Sequence, residues 1–370
     1  MENCNLVVGC GFSGAVIANL IATVLDEKVL IIDKKNHIAG NSYDYRDENG
    51  IMIHKYGSHI FHTSNEKVWE FLKKFTDFNT YMHKVVAVID GIETTIPFNF
   101  NTIHNVFPAS LANRLEEKLL KAFEYNKKVP ILEFQKQDDE DLKFLANYVY
   151  EKVFLHYTTK QWGNKPEEVD GAVTARVPVY LSRDDRYFQD KYQGIPLEGY
   201  TRVVEKMLNH PNIQVKLNTD YKDIKGEFKR VFYTGSIDEF FNYKYGELPY
   251  RSVNFKMETY DREFYQSNSV VNYPCNYDFT RIHEYKHYLN DKSSKTVIAK
   301  EYSEFFEKGK NERYYPIPKP ENFELYNKYQ KDAKELKNVY FLGRLGDYKY
   351  YDMDKAILRA LELFETLRFN

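Results

Sequence analysis

Three glycines and an aspartate near the N-terminus have the types and spacing of a dinucleotide-binding site. Residues 7–14 read VVGCGFSG, in which Gly9, Gly11 and Gly14 form the pattern G-x-G-x-x-G. Such glycines let backbone N–H groups approach a pyrophosphate at the start of a helix, where the helix dipole adds positive potential. Asp33 ends the next apolar run, VLIID. In dinucleotide-binding proteins, an acidic side chain about 20 residues after the glycines accepts a hydrogen bond from a ribose hydroxyl.

The acidic residue narrows the choice of dinucleotide. The acidic side chain disfavours the 2′-phosphate of NADP, whereas NAD and FAD both carry a ribose hydroxyl that can donate a hydrogen bond to it. Two features favour FAD. The chain continues from Asp33 into a long glycine-bearing loop instead of a second simple crossover, and a second strand–glycine segment near the C-terminus is suited to close over the far end of a long cofactor.

That second segment, GRLGDYKYYDMDKAI at 343–357, holds a cation, three phenols and carboxylates close together. Packing alone does not explain this composition. Gly343 and the backbone N–H groups that open the last helix are predicted to face the cofactor and its diphosphate. Asp352 is predicted to cap that helix.

Three histidines, His54, His59 and His62, lie close together in sequence, but they lack the pattern of a metal site. No carboxylate or cysteine has supporting spacing, so we predict no metal. The three cysteines of the chain are scattered, which fits a reducing compartment without disulfides. A net charge of −2 argues against a nucleic-acid partner, and 43% hydrophobic residues argue against disorder.

The elements that must position these residues follow from the hydrophobic pattern. A strand at 5–8, a helix at 12–25 and a strand at 28–32 form a βαβ unit, and an irregular loop follows at 33–58. Further predicted elements are helices at 65–75, 108–126, 138–157 and 321–336, and strands at 213–217, 231–233 and 339–342. Residues 6–25 carry no charge, but the glycines inside them indicate a turn and a buried helix, so we predict a cytoplasmic protein without a membrane span or targeting segment.

Alternating stretches between these elements predict a second, antiparallel sheet. They read VVAVID, VTARVPVYL, RSVNFKMETY, SVVNY, FTRIHEYKHY and TVIAKEY. The fold class is therefore α/β: a Rossmann-like FAD-binding domain with a helical subdomain and an antiparallel-sheet subdomain. The expected boundaries are 1–63, 196–246 and 330–370 for the FAD-binding domain, 64–163 for the helical part, and 164–195 with 247–329 for the antiparallel part.

Ordered motifs along nearly the whole chain resemble those of bacterial UDP-galactopyranose mutases. They include GCGFSGAV, HIAGNSYD, HKYGSHIFHTSNEKVW, YTTKQWG, DRYFQDKYQGIP, FTRIHEYKHY, YYPIP and GRLGDYKYYDMD. The resemblance implies an FAD enzyme that interconverts UDP-galactopyranose and UDP-galactofuranose, the precursor of cell-surface polysaccharide. In this family N5 of the reduced flavin attacks the anomeric carbon, UDP leaves, and the sugar ring reopens and recloses through a flavin–sugar adduct.

The resemblance also implies roles for individual residues. Arg176 and Arg281 would clamp the diphosphate, His59 would lie against the flavin and His62 close to the sugar, where an imidazole can donate a hydrogen bond, and Trp162 would lie on a mobile loop. The implied substrate residues are Phe154, Tyr157, Trp162, Arg176, Tyr187, Arg251, Asn272, Arg281, Tyr315, Tyr350 and Asp352. The implied cofactor residues are Gly9, Gly11, Ser13, Gly14, Asp33, Lys34, Gly40, Asn41, Ser42, His59, Ile60, Gly343, Arg344, Asp352 and Met353.

Two positions depart from the family pattern. Ala39 stands where the family usually has glycine, and His83 stands where asparagine is expected. The second departure leaves open a mutase that also accepts UDP-N-acetylgalactosamine. Alternatives from other classes are an FAD-dependent oxidoreductase and a non-catalytic glycan- or nucleotide-binding protein. The resemblance further implies a homodimer, with the helical region 64–157 as its interface, and an external reductant such as NAD(P)H.

Overall fold

The structure is built around a five-stranded parallel sheet. The computed structural model describes residues 3–163 and 178–368. In order across the sheet, the strands are Ile213–Lys216, Lys28–Ile32, Cys4–Val8, Val231–Tyr233 and Val339–Phe341. Every neighbouring pair is parallel. The prediction that N- and C-terminal segments share one Rossmann-like sheet is therefore confirmed.

The helix Phe12–Val24 connects the two strands Cys4–Val8 and Lys28–Ile32 and forms the centre of the main core. It packs against the helices Tyr200–Leu208 and Met353–Arg368. Its apolar side chains are almost completely buried, which explains why this stretch carries no charge. In the described part of the chain, no helix is both long and apolar enough to cross a membrane.

A second sheet of seven strands is mostly antiparallel. Its order is Tyr315–Pro316, Tyr250–Tyr260, Thr296–Phe305, Arg281–Glu284, Val270–Asn272, Val85–Ile89 and Ile92–Ile96. The pair Val270–Asn272 and Val85–Ile89 is parallel. The predicted antiparallel sheet is present, but the hairpin strand Ile92–Ile96 was missed, because its polar Glu-Thr-Thr centre hides the alternation.

The stretch FTRIHEYKHY is a strand only as far as Glu284, so the longer predicted strand is wrong. Lys286–Leu289 forms a short helix that ends at Asn290 in the left-handed conformation. Glu284 accepts backbone hydrogen bonds from Tyr265 and Gln266, which draws the chain away from the sheet. Alternation of residue types cannot reveal such a tertiary contact.

A group of helices packs on one end of this sheet around a separate core. Its members are Phe100–Val106, Ala109–Ala122, Ile131–Gln135, Glu140–Val149 and His156–Trp162, with a π-helical turn at Tyr150–Leu155. The predicted helix at 108–126 ends four residues early, at Ala122. The predicted helix at 138–157 is interrupted by the π turn and then continues to Trp162.

The remaining elements are mostly short, apart from the helix Pro320–Glu335. They are Glu66–Leu72, Ile237–Phe240, Pro320–Glu335 and Gly343–Gly346 among the helices, and the paired strands Phe61–Thr63 with Tyr192–Gly194 and Lys128–Val129 with Val179–Tyr180. The loop predicted as irregular at 33–58 contains a further strand pair, Asp44–Arg46 with Met52–His54. Most of VTARVPVYL lies outside the described residues.

The domain division remains a proposal. All strands of the parallel sheet come from 1–63, 196–246 and 330–370. Two strands of the antiparallel sheet, Val85–Ile89 and Ile92–Ile96, come from the segment expected to be mainly helical. The helical part is therefore attached to the second sheet through a β-hairpin.

Candidate active site

A cavity of about 820 Å³ opens at the carboxyl ends of the parallel strands. Its wall is formed by the turn after Cys4–Val8, the loop after Lys28–Ile32, the turn at Thr234 and the start of the last helix. Ligands of open α/β sheets bind at this edge. The cavity contains these predicted cofactor residues: Gly9, Gly11, Ser13, Asp33, Lys34, Gly40, Asn41, Ser42, His59, Gly343, Arg344, Asp352 and Met353.

We call the glycine-lined part of this wall the cradle; it comprises Gly9, Gly11, Gly40 and Gly343. Gly9 has φ +103° and Gly343 has φ +85°, which side chains rarely adopt. A Cβ at Gly14 would lie 1.9 Å from the carbonyl oxygen of Gly9, so the helix can approach the strand only without one. Gly14 itself supports the cradle from behind and does not line the cavity.

Asp33 is held at the cavity wall by backbone groups. One carboxylate oxygen accepts from the N–H of Cys10 at 2.8 Å, and the other accepts from the N–H of Lys35 at 2.9 Å. Each oxygen keeps a second lone pair for a ligand. The arrangement therefore suits the recognition of a ribose hydroxyl.

Ala39, which stands where the family usually has glycine, has a left-handed backbone conformation. Ala39 has φ +69° and is 1% exposed, at the cap position before the short 3₁₀ turn Gly40–Ser42. Glycine adopts this conformation without strain, whereas alanine does so at a cost. The turn nevertheless forms, because Ser42 donates both its N–H and its hydroxyl to the carbonyl of Ala39.

His59 reaches the cavity as a neutral imidazole. Burial, and after it the neighbouring His54, lowers the pKa of His59 to about 3. Its Nδ1 lies 2.7 Å from the carbonyl oxygen of Gly57, so Nδ1 carries the hydrogen. Nε2 is therefore an acceptor.

Buried histidines predict a marked loss of stability in mild acid. Burial lowers the pKa of both His54 and His83 to about 3, from 6.5 in the unfolded chain. Below pH 6.5 the unfolded chain takes up protons that the folded protein does not bind, so stability is full above pH 6.5 and falls as the pH decreases toward 3. Between pH 7 and pH 5 we expect each histidine to remove about 2 kcal/mol from the free energy of unfolding. Urea unfolding at pH 7, 6 and 5 measures this, and His54→Asn should weaken the pH dependence; an unchanged dependence would contradict the assignment.

A cluster of aromatic rings stands beside the cavity; we call Tyr157, Trp162, Tyr315 and Tyr350 the aromatic cluster. The rings of Tyr315 and Tyr350 stack at 5.1 Å, and Trp162 lies 6.4 Å from each. Burial raises the pKa of Tyr157, so its hydroxyl stays protonated and can donate. Trp162 ends a helix and is 3% exposed, and most of the expected mobile loop after it falls on residues 164–177, outside the described residues.

Arg344 links the cavity to the aromatic cluster. Its guanidinium lies 4.9 Å from the ring centre of Tyr315 and 5.5 Å from that of Tyr350. It also donates to the carbonyl oxygens of Tyr314 and Tyr351, at 3.3 and 2.6 Å. Since Arg344 lines the cavity as well, the two parts of the site are contiguous.

Arg281 lies near the aromatic cluster, and none of the described residues accepts a hydrogen bond from its two terminal nitrogens. Its Nε donates to Glu301 at 2.9 Å. Its two terminal nitrogens donate to no residue within 3–163 or 178–368. Burial raises the pKa of Tyr157 and Tyr315, and the charge of Arg281 opposes that rise in both, which places the guanidinium near their hydroxyls. These free donors are suited to an anion.

Arg251, an expected substrate residue, contacts the end of a helix, and its buried Nη1 has no hydrogen-bond partner among the described residues. It is 2% exposed and donates to the carbonyl oxygens of Gln161 and Lys160, at 2.8 and 3.2 Å, and to Ser303. Burial lowers the pKa of Arg251 to about 10. It therefore caps the C-terminal end of the helix His156–Trp162 and does not line the cavity.

A second aromatic group surrounds His62 and His83. The ring of Phe188 stacks on His62 at 3.5 Å and lies 5.7 Å from His83. His62 Nδ1 is 2.8 Å from Asp190, which fixes its orientation. Tyr187 donates its N–H to the carbonyl oxygen of His83 at 2.8 Å. His62 and Tyr187, two residues expected near the sugar, therefore lie close to His83, the residue that departs from the family pattern.

The other expected residues lie as follows. Phe154 is buried in the helical core at 1% exposure, and Ile60 packs on a small core below the cavity. Asn272 is opposite Arg281 across the sheet, and its buried Oδ1 has no partner among the described residues. Arg176 lies outside the described residues. No group of three or more His, Cys, Asp or Glu in the described part could hold a metal.

Several residues of the site were missed from the sequence. Glu301 pairs with Arg281, Phe188 stacks on His62, and Ser58 and His283 connect to Glu301. Arg281 and His283 alternate on one strand and therefore share a face, which is a usable signal. Their partner Glu301 needs the strand register, in which Arg281 is opposite Glu301.

The sheet, the cradle and the backbone-held Asp33 define a Rossmann-like α/β protein with a nucleotide-type cavity beside a second, cationic site. Comparison with known proteins agrees. A family model described as UDP-galactopyranose mutase matches residues 152–350, and one described as an NAD(P)-binding Rossmann-like domain matches residues 7–75. The chain belongs to the UDP-galactopyranose mutase family, and it is an isomerase.

The chain is about equally similar to two mutases whose names give different substrates. The chain is 39% identical to a probable UDP-galactopyranose mutase of Klebsiella pneumoniae, over 98% of this chain and 94% of that protein. It is 38% identical to a dTDP-fucopyranose mutase of Escherichia coli, over 96% of each. A crystal structure of reduced UDP-galactopyranose mutase has the same fold, with a TM-score of 0.76 at 15% identity over 99% of this chain and 94% of that one.

Proposed function

We propose that this isomerase is an FAD-dependent UDP-galactopyranose mutase. It interconverts UDP-galactopyranose and UDP-galactofuranose and supplies galactofuranose for cell-surface polysaccharide. The observation that carries the proposal is Arg281: its terminal nitrogens donate to none of the described residues, and its charge acts on the hydroxyls of Tyr157 and Tyr315 in the aromatic cluster. That site adjoins the cavity through Arg344, so a sugar diphosphate and a dinucleotide would meet there.

The cavity fits FAD. Gly11 leaves room for a pyrophosphate in the cradle, because a Cβ there would meet nothing closer than the Cα of Gly40 at 3.9 Å, and Asp33 offers free lone pairs to a ribose. The N-termini of two long helices, Phe12–Val24 and Met353–Arg368, both lie at the cavity wall, as a long dinucleotide requires. When bound and reduced, the flavin would supply N5 as the nucleophile toward the anomeric carbon, without net oxidation.

Arg281 would bind the diphosphate of the substrate. A diphosphate gains negative charge as its bond to the sugar breaks, and a fixed cation lowers the energy of that state. The guanidinium presents two terminal nitrogens in one plane, which matches two phosphate oxygens. The hydroxyls of Tyr157 and Tyr315 stay protonated, because burial raises the pKa of both, and add neutral donors. We propose that Arg176 joins this group.

The histidines would orient the cofactor and the sugar. His59 presents Nε2 as an acceptor, which suits an N–H of the isoalloxazine. His62 is held by Asp190 on one nitrogen, so its other nitrogen is left for a sugar hydroxyl. Neither residue needs to change its protonation state for these roles.

Other parts of the proposal concern the cellular setting. We propose that an external reductant such as NAD(P)H keeps the flavin reduced, that the enzyme acts in the cytoplasm, and that it forms a homodimer through the helical region 64–157. Exposed apolar side chains on that region, among them Leu120, Tyr125 and Phe144, support the dimer proposal.

The test is turnover of nucleotide sugars by the purified protein with and without dithionite. We expect a yellow protein that converts UDP-galactopyranose only after reduction, with no net consumption of the reductant. Stoichiometric oxidation of the sugar would favour an oxidoreductase, and a colourless preparation would favour a binding protein.

The choice of substrate needs parallel assays, because the chain is about equally similar to a relative that acts on dTDP-fucopyranose. UDP-galactopyranose, UDP-N-acetylgalactosamine and dTDP-fucopyranose should be compared at equal concentrations. Preference for UDP-galactopyranose supports the proposal. Preference for dTDP-fucopyranose would replace it with the second relative's activity. The variant His83→Asn tests whether the departure at this residue sets the preference for the sugar.

A further inference from the structure

A continuous chain of buried and partly buried hydrogen bonds leads from Ser58 to Arg281. Ser58 Oγ is 2.6 Å from His283 Nδ1, and His283 Nε2 is 2.8 Å from Glu301 Oε2. The same carboxylate oxygen accepts from Arg281 Nε at 2.9 Å. His283 is 2% exposed and Glu301 is 5% exposed, so water does not compete for these bonds.

The hydrogen atoms of this chain have one consistent arrangement. The hydroxyl of Tyr288 donates to Ser58 Oγ. The hydrogen of Ser58 is then directed to His283 Nδ1, and His283 Nε2 carries the hydrogen that Glu301 accepts. Burial lowers the pKa of His283, which keeps the ring neutral as this arrangement requires. Every donor between Tyr288 and Glu301 is used.

Glu301 is an ionised group that cannot easily turn away. Burial alone would raise its pKa, but the charge of Arg281 and the hydrogen bond from His283 lower the pKa to about 2. Its other oxygen accepts from the hydroxyl of Thr280 at 3.0 Å. A carboxylate fixed by three donors holds Nε of Arg281 and thereby restricts the orientation of its planar guanidinium.

The far end of the hydrogen-bond chain lies next to the cavity wall. Ser58 directly precedes His59, whose ring lines the cavity. We infer that Ser58, His283 and Glu301 are positioning residues that fix Arg281 relative to this wall, and thereby fix the diphosphate relative to the flavin. The inference rests on the proposed function, because the diphosphate is the ligand that the proposed reaction assigns to Arg281.

The first experiment compares two replacements of His283. In His283→Gln the side-chain amide can still donate to Glu301, whereas in His283→Phe it cannot. We expect His283→Phe to lower kcat and the affinity for UDP by about 10-fold or more, as is typical when a supporting hydrogen bond of a site is lost. His283→Gln should retain most of both. Equal losses in the two variants, or a lower melting temperature with unchanged kcat and UDP affinity, would overturn the inference.

The second experiment is a double-mutant cycle between residues that do not touch. Ser58→Ala and Glu301→Gln each break the chain, and they are connected only through His283. If they act through one chain, the double variant is no worse than the more damaging single variant. Additive losses, as expected for independent sites, would overturn the inference.

Titration of UDP to the flavin-containing protein separates the two claims. If the wild type binds UDP but does not convert UDP-galactopyranose, the proposed function fails. The positioning inference is then decided by UDP affinity in the same variants. If the wild type does not bind UDP, both fail.

Discussion

Arg281→Ala is expected to lower kcat by about 100- to 1000-fold, as for the loss of one charge-stabilising group. The cause would be the loss of the two terminal nitrogens that are free to bind the diphosphate as it leaves the sugar. Arg281 does not line the dinucleotide cavity, so the bound flavin and its visible absorption should be unchanged. Steady-state turnover of the reduced enzyme measures the effect.

A matched variant is needed because Arg281 also balances the charge of Glu301. Removing one partner of a largely buried ion pair costs stability. Arg281→Lys keeps a positive charge near Glu301 but loses the planar fork, so it should be more stable than Arg281→Ala and still be slow. Thermal unfolding of both variants separates the two effects. Turnover equal to wild type in Arg281→Ala would remove this residue from the mechanism.

Gly11→Val is expected to abolish FAD binding without unfolding the protein. Within the chain, a Cβ at Gly11 would meet nothing closer than the Cα of Gly40 at 3.9 Å. Its backbone, with φ −75° and ψ −178°, is one that valine adopts. The added carbons would instead occupy the cradle, where a pyrophosphate has to approach the backbone. The purified variant should be colourless, with the melting temperature of wild-type apoprotein.

Gly14→Ala provides the contrast. Here the Cβ would meet the Gly9 carbonyl oxygen at 1.9 Å, a backbone atom that cannot move aside cheaply. We expect this variant to lose FAD and also to unfold at a lower temperature than wild-type apoprotein. A yellow, active Gly11→Val protein would show that the cofactor does not lie in the cradle.

The first sheet was predictable because its signals are local. Glycine spacing, an apolar helix and two β-branched runs lie within 33 residues, and the strand and helix bounds agree within about one residue. The C-terminal return to the same sheet followed from a second strand–glycine–helix pattern. These features depend on turn conformation and hydrophobic periodicity, and both can be predicted directly from residue types and their spacing.

The wrong predictions of secondary structure concern places where the sequence pattern alone does not determine the conformation. FTRIHEYKHY leaves the sheet at Glu284 because backbone groups of Tyr265 and Gln266 bind that carboxylate. The helix expected at 138–157 contains a π turn that no composition signal marks. At Glu284 a tertiary contact overrides a weak local preference.

The sequence by itself determined the parallel sheet, the cradle and Asp33, because close neighbours along the chain set turn geometry and the apolar pattern. Only the tertiary structure decided which charges meet and which protons are held. Ser58, His283 and Glu301 are far apart in sequence. Burial keeps His283 neutral, whereas the charge of Arg281 and the hydrogen bond from His283 keep Glu301 ionised against the effect of burial. Protonation depends on solvent exclusion and on neighbouring charge, and both arise only when the chain is folded.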